Sequence, residues 1–494
     1  MVAERGAEVL VASNRGPVSY GLADDGALTA KRGGGGLVSG LSAIGPDAGA
    51  VWVCAALSDA DREAVRRTGG RLDPADTGGQ AVRMLDIDPG VFDGAYNGIA
   101  NSVLWFVHHM LYQIPLEPVF DAAFREQWAA YETYNAAFAD ALAEEAADGA
   151  AVLVQDYHLA LVPGMLRERR PDVRISHFSH TPWAPPEYLR ILPDDVRDQL
   201  IWGMLGADRL GFLTRRWASA FTSECAGRWD HMSVTTTHGV TPQRWYVEHT
   251  RTQLPPTRTT DVDVHPLGAD AAFLRERAHR PDVGERLAAL REEIGDGRKV
   301  IVRVDRTELS KNIVRGLHAY ARLLETHPEW RENVVHVAFA YPSRQDLAVY
   351  RDYTAEVARV AGTINDTYGT ATWRPVILHV KDDFARSLAA YRLADVALVN
   401  PIRDGMNLVA KEVPVVSDDG CALVLSREAG AAEELAEGAL TVNPYDIEAT
   451  AAALHEALTM EPEERAERTK RLAAAATALP PQSWFLAQLE ALRD

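Results

Sequence analysis

A chain of 494 residues, 47% hydrophobic and 24% charged, carries enough apolar material for two or more domains with separate cores. Its formal charge of −19 argues against nucleic acid or an anionic membrane as the main partner, because both reward a basic face. Cys54, Cys225 and Cys421 stand too far apart for a metal-type spacing, no apolar run approaches the length of a membrane span, and the N-terminus has no secretory pattern, so the sequence reads as cytoplasmic with reduced thiols.

In chain order, a first strand is expected at residues 9–12, running into Ser13-Asn14-Arg15-Gly16-Pro17. Residues 16–31 read as a polar loop or hairpin. Lys31-Arg32 and the glycines Gly33 to Gly36 precede a helical pattern from Leu37, an order shared by many phosphate-binding α/β domains and also by flexible surface loops. A second strand is expected at 51–54, then a helix capped by Ser58 with Asp61 three residues on. Helical spacing returns over 97–108 and again over 120–147. Strands at 152–155, 173–178 and 208–213 are each followed by a helix-like segment, which indicates a parallel sheet covered on both faces. Residues 227–260 read as irregular or edge structure. A second alternating series is expected to begin at Val262, with strands near 300–304, 334–340, 375–380, 395–399 and 422–425. The last segment, 482–492, is helical with Trp484 and Phe485 on one face.

The strand at 396–399 ends at Asn400-Pro401 and delivers the chain to Asp404-Gly405-Met406-Asn407-Leu408-Val409-Ala410-Lys411-Glu412. Glycine lets backbone amides approach a ligand, and the N–H groups of a helix start form a site for anions. Glu412, two turns further, is placed to accept from vicinal hydroxyls such as those of a ribose; an ordinary strand–loop–helix is the alternative. Arg306 ends its strand and Lys311 opens the next helix, so a planar fork and a mobile ammonium can converge on one diphosphate. Asp156 follows the apolar run 152–154, at the carboxyl edge where such sheets bind ligands. His177 and His180 invite a zinc reading, but no third ligand has suitable spacing. His108 and His109 read as structural, whereas the rings of Tyr96 and Trp105 suit the apolar faces of a sugar.

The nine residues from Asp404 to Glu412 resemble the donor-site signature of the trehalose-6-phosphate synthase family of retaining GT-B glycosyltransferases. That resemblance implies two Rossmann-like, doubly wound parallel-sheet domains facing a cleft. Residues 1–260 would bind the acceptor and 261–475 the nucleotide sugar, while 476–494 form a helix crossing back to the first domain. It implies transfer of glucose from UDP- or GDP-glucose to glucose 6-phosphate, without a covalent glycosyl-enzyme, metal or cofactor, by a protein that is a possible homo-oligomer. In the donor site it implies Gly35 and Gly36 against the phosphates, His180 on the transferred glucose, Arg306 and Lys311 on the diphosphate, and Asp404, Gly405, Met406, Asn407, Leu408, Val409 and Glu412 around the remainder. Asp156, His180, Arg306, Lys311 and Asp404 would be the catalytic set. Arg15, Tyr96, Trp105, Asp156 and Arg344 would hold the acceptor, with Arg15 and Arg344 on its phosphate.

Several positions depart from the family pattern. Cys54-Ala55-Ala56 lacks a second tryptophan after Trp52, Gln155 replaces a histidine, Thr181 and Trp183 alter the loop after His180, and Thr307-Glu308-Leu309-Ser310 changes the filler between Arg306 and Lys311. Residues 378–383, where the base edge is expected to be read, match poorly, which leaves uracil and guanine both open. Related syntheses, of glucosylglycerol phosphate or validoxylamine 7'-phosphate, and a non-catalytic sugar-phosphate sensor are the alternatives.

Overall fold

Runs of β-branched and apolar residues alternate with amphipathic segments along both halves of the chain, and each half forms its own sheet. The computed structural model describes residues 6–23, 26–33, 50–226, 232–237, 244–249 and 258–492. It divides into two units, Met1–Leu267 with Pro481–Asp494, and Gly268–Pro480.

In the first unit the strands are β1 (Ala7–Ala12), β2 (Val18–Leu22), β3 (Leu28–Arg32), β4 (Ala50–Ala55), β5 (Ala81–Leu85), β6 (Ala146–Gln155), β7 (Arg174–Ser179), β8 (Arg209–Phe212), β9 (Met232–Thr236), β10 (Trp245–His249) and β11 (Arg258–Val264). Among the described residues, nine of them form one sheet in the order β5-β4-β1-β6-β7-β8-β11-β10-β9, and β2 and β3 pair as a separate hairpin. The pairings from β5 to β11 are parallel, and β10 and β9 then continue the sheet antiparallel. The central strands are buried on both faces, as parallel sheets require. The helix Asp59–Thr68 starts at Ser58 with the reciprocal hydrogen bonds of a capping box to Asp61. The expected glycine loop beyond Gly33, including Gly35 and Gly36, lies outside the described residues.

The expectation that a second series begins at Val262 is corrected. Asp261–Val264 runs in parallel register with Arg209–Phe212, so β11 completes the first sheet. Arg209 secures that pairing through Asp263 at 2.9 Å. A period of two identifies a strand but carries no information about which sheet it joins. The C-terminal helix, Pro481–Ala491, also belongs to the first unit: Trp484 and Phe485 are fully buried and Trp484 Nε1 donates to the carbonyl of His265 at 3.0 Å.

The second unit holds β12 (Lys299–Arg306), β13 (Val334–Tyr341), β14 (Val376–His379), β15 (Val396–Val399), β16 (Ala422–Ser426) and β17 (Leu440–Val442), in the sheet order β14-β13-β12-β15-β16-β17 with every pairing parallel. Only the short β17 was not expected from the sequence. The order changes direction between β12 and β15, and an open parallel sheet of this kind binds ligands at the carboxyl edge of such a switch point. Among the described residues no helix is long and apolar enough to cross a membrane.

Candidate active site

The carboxyl ends of β12 and β15 carry the charged part of the site. Lys311 ends a short turn, Leu309–Lys311, and its ammonium is paired with Asp404 Oδ2. Burial alone would depress the lysine, but Asp404, Asp305 and Glu308 outweigh it and hold its pKa above the ordinary value. Asn407 donates to the same Asp404 oxygen at 3.1 Å and caps the helix Leu408–Val416, its side-chain oxygen accepting from Ala410 N at 3.2 Å. Among the described residues the amides of Leu408 and Val409 meet no acceptor. A half-buried ammonium and two open amides at a helix start attract an anion.

The loop itself is stitched to the turn after β16: Asp404 N donates to Glu428 O (3.2 Å) and Ala431 N to Met406 O (2.7 Å). Lys411, the penultimate residue of the same motif, turns inward to Glu434 and is fully buried. Glu412 sits on the next turn beside Tyr391, whose hydroxyl lies 3.5 Å from Oε2. Burial pushes the Glu412 carboxyl up to about 7, only partly offset by that hydroxyl.

Two features here escaped the sequence. Arg303 is buried within β12 and donates to Asp305 Oδ2 from Nε (3.1 Å) and Nη2 (2.7 Å), and from Nη2 to the carbonyl of Lys311 at 3.0 Å. The pair therefore backs the turn that presents Lys311. Gly316 makes room for it, since a Cβ there would stand 2.3 Å from Arg303 Nη1. Glu308, which reads as filler in the sequence, is fully buried between Arg306 (3.2 Å) and Arg344 (3.4 Å). A carboxylate two residues from an arginine gives no sequence signal of either fact.

In the first unit the candidate residues Arg15, Asp156 and His180 follow β1, β6 and β7. Arg15 is exposed, on a turn held by Ser13, whose hydroxyl donates to Arg15 O (2.7 Å) and accepts from Trp52 Nε1 (2.8 Å). Asp156 has φ +74, a conformation that costs a non-glycine residue energy and recurs at functional sites. Its amide donates to Phe178 O and its carboxylate accepts from His180 N at 3.2 Å. His177 Nε2 donates to the carbonyl of Asp156 at 3.2 Å, a structural bond. His180 Nε2 lies 2.9 Å from Gln155 Oε1, and burial, with His177 nearby, lowers its pKa to about 4. The imidazole is therefore neutral near pH 7.

Tyr96 stacks between Phe92 (5.2 Å) and His158 (5.6 Å). It lies on Gly94–Leu104, a stretch of wide π-helix, a form often found at functional sites. Trp105 follows that stretch, largely buried and stacked on His109 at 3.8 Å. His108 and His109 are buried, as their structural reading requires. No sequence pattern distinguishes the wide helix from an ordinary one.

Among the described residues, one histidine–carboxylate group is compact enough for a metal: His327, Glu329 and His455. It does not fit one. Trp330 Nε1 donates to His455 Nδ1 at 3.0 Å, and the two imidazoles stack at 3.6 Å with planes 11° apart, so their in-plane lone pairs cannot converge on one ion.

The chain matches Glycosyltransferase family 20 over residues 7–494. It is 36% identical over 471 residues to an alpha,alpha-trehalose-phosphate synthase (UDP-forming) of Botryotinia fuckeliana, covering 94% of this chain and 84% of the relative. It is 34% identical over 500 residues to the trehalose-6-phosphate synthase of Mycolicibacterium smegmatis, covering 98% and 92%. Among solved structures, an E. coli protein described as trehalose-6-phosphate bound with UDP-2-fluoro glucose superposes with a TM-score of 0.83 at 29% identity, covering 98% of this chain and 99% of that one. An alpha,alpha-trehalose-phosphate synthase (UDP-forming) of Burkholderia xenovorans in complex with glucose-6-phosphate gives 0.82 at 27%, covering 99% and 100%. With a family match across nearly its whole length and relatives at this identity, the chain belongs to glycosyltransferase family 20, the GT-B trehalose-phosphate synthase family.

Proposed function

We propose that the protein transfers glucose from UDP-glucose to glucose 6-phosphate, releasing UDP and forming α,α-trehalose 6-phosphate with retention at the anomeric carbon. The observation that carries this reading is the niche at the ends of β12 and β15, where Lys311 pairs with Asp404, Asn407 ties that carboxylate to the helix start with the open amides of Leu408 and Val409, and Arg306 closes β12, in a chain of net charge −19. A diphosphate suits that niche, because charge-assisted bonds to two of its oxygens can replace the Lys311–Asp404 contact. The UDP-forming relatives and the solved structures with a UDP-glucose analogue or glucose-6-phosphate support the choice of donor and acceptor.

In the reaction the bond from the anomeric carbon to the diphosphate breaks and a bond to the acceptor oxygen forms on the same face. The acceptor's proton passes to the departing phosphate oxygen, so the protein supplies orientation and charge stabilisation. Lys311 and Arg306 meet the charge that grows on the diphosphate, and Glu412 accepts from the ribose. Asp156 and neutral His180 hold sugar hydroxyls, with Tyr96 and Trp105 offering ring faces. Arg15 and Arg344 are each a candidate for the acceptor's phosphate.

A product assay crossing UDP- and GDP-glucose with glucose 6-phosphate and other acceptors tests the reading. Trehalose 6-phosphate formed preferentially from UDP-glucose is the expected result. Absence of that product with every donor would sink it.

A further inference from the structure

Glu308 is a buried carboxylate with two arginines on it, and both arginines already have roles in the reading above, on which this inference rests. Its side chain is fully buried. Arg306 Nε stands 3.2 Å from Oε1, Arg344 Nη1 stands 3.4 Å from Oε2, and Ser343 Oγ donates to Oε1 at 3.1 Å. Arg306 is the last residue of β12, and the chain turns tightly after it, with Glu308 N donating to Arg306 O at 2.7 Å. Arg344 follows β13 at φ +47, a left-handed turn, and its guanidinium also donates to Tyr350 OH at 3.0 Å while lying 5.4 Å over that ring.

The burial is uneven. The Arg306 side chain is 59% exposed and, without a tether, would be a mobile surface cation with many rotamers to lose on binding. Contact through Nε leaves its two terminal nitrogens for a ligand. Arg344 is only 12% exposed, and the Glu308 side chain is fully buried. A carboxylate in such a place depends on its cations, because removing one leaves a buried charge undercompensated.

We propose that Glu308 is a positioning residue, a single shared counterion that sets Arg306 and Arg344 together, so that the arginine assigned to the donor diphosphate and the one assigned to the acceptor phosphate are energetically linked. With Arg344 removed, more of the charge of Glu308 falls on Arg306, draws that guanidinium inward and opposes an incoming diphosphate. Donor affinity then falls although Arg344 itself touches no nucleotide.

Calorimetry of UDP binding to the full chain tests this. Arg344→Ala is expected to weaken UDP about five-fold. In the Glu308→Gln background, which keeps the shape and the Ser343 contact but removes the charge, the same substitution should change UDP affinity less than about two-fold. Arg344→Lys keeps a cation beside Glu308 and should restore affinity to within about two-fold of wild type, a rescue that a packing role would not produce. This arm also serves if Glu308→Gln does not fold. Equal losses in Arg344→Ala and Arg344→Lys, no loss in either, or the same loss in both backgrounds would overturn the linkage. Wild-type protein that binds no UDP would instead show the functional reading itself to be wrong.

Discussion

In the second unit four cations on or just after β12 and β13 are matched with carboxylates: Arg303 with Asp305, Lys311 with Asp404, Arg306 and Arg344 with Glu308. The first unit instead offers stacked rings, one acid in a strained backbone and an imidazole kept neutral by burial. On the proposed function, the contrast follows the chemistry of the two substrates. A diphosphate must be met by charge that is already oriented, and paired cations are oriented without being neutralised. A sugar presents hydroxyls and apolar faces, for which fixed charge is of little use and flat rings with neutral hydrogen-bonding groups are better suited.

The sharpest way to break this contrast is to remove charge from the second unit. Arg306→Ala or Lys311→Ala should cost about 3–4 kcal/mol of transition-state stabilisation, read as kcat, with much less effect on binding of free glucose 6-phosphate. Steady-state kinetics in both substrates checks it, and intact turnover with a weakened acceptor would reassign both cations.

Next in size is the phosphate of the acceptor. Arg344→Ala should lower the preference for glucose 6-phosphate over glucose by about 1.5–3 kcal/mol, the range for a hydrogen bond to a charged group. Arg15→Ala should act in the same direction from the first unit. The ratio of kcat/KM for the two acceptors is the readout, and a ratio unchanged in both variants means that the phosphate is held elsewhere.

A smaller effect tests whether the buried pair behind Lys311 is rigid. Gly316→Ala would drive a methyl against Arg303 Nη1 and bring it within 3.1 Å of Asn400 Oδ1. Overpacking of this kind costs about 1–3 kcal/mol, measurable by urea unfolding. Unchanged stability would mean that Arg303 has room to move, and that Asp305 does not fix the Lys311 turn.

The smallest expected effect is a pH dependence. With Glu412 near 7, its carboxylate forms as pH rises from 6 to 8, and donation from ribose hydroxyls favours that charged form. Affinity for UDP-glucose should therefore rise over this interval by up to about ten-fold, and Glu412→Gln should remove the rise. His180, near 4, stays neutral throughout and should contribute no limb between pH 6 and 8. A pH dependence that survives in Glu412→Gln places the titrating group elsewhere.

Both sheets and most of their strands are legible in the sequence, because a buried parallel strand is a short apolar run between turn residues and needs no distant information. The niche at Asp404 is legible for a similar reason. Its loop, cap and first helical turn are consecutive residues, and even the partner Lys311, which ends a short turn before the helix at Ile313, is recognisable by its spacing from Arg306. The nine-residue motif says less about direction, since Lys411 within it points to Glu434. Ligand-facing and core-facing residues of one helix turn look alike in sequence.

Sequence alone determined the class of most elements, the capping of Asp59–Thr68 by Ser58, and which residues could meet a diphosphate. These depend on neighbours within a few positions, where backbone geometry is common to all proteins. Tertiary structure alone decided that β11 joins the first sheet, that residues 94–104 widen into a π-helix, and that Glu308 is a buried hub. Each of these turns on which surface arrives from a remote part of the chain. A strand's partner is set by competing sheet edges, and the charge state and rotamer of a carboxylate are set by the desolvation that packing imposes.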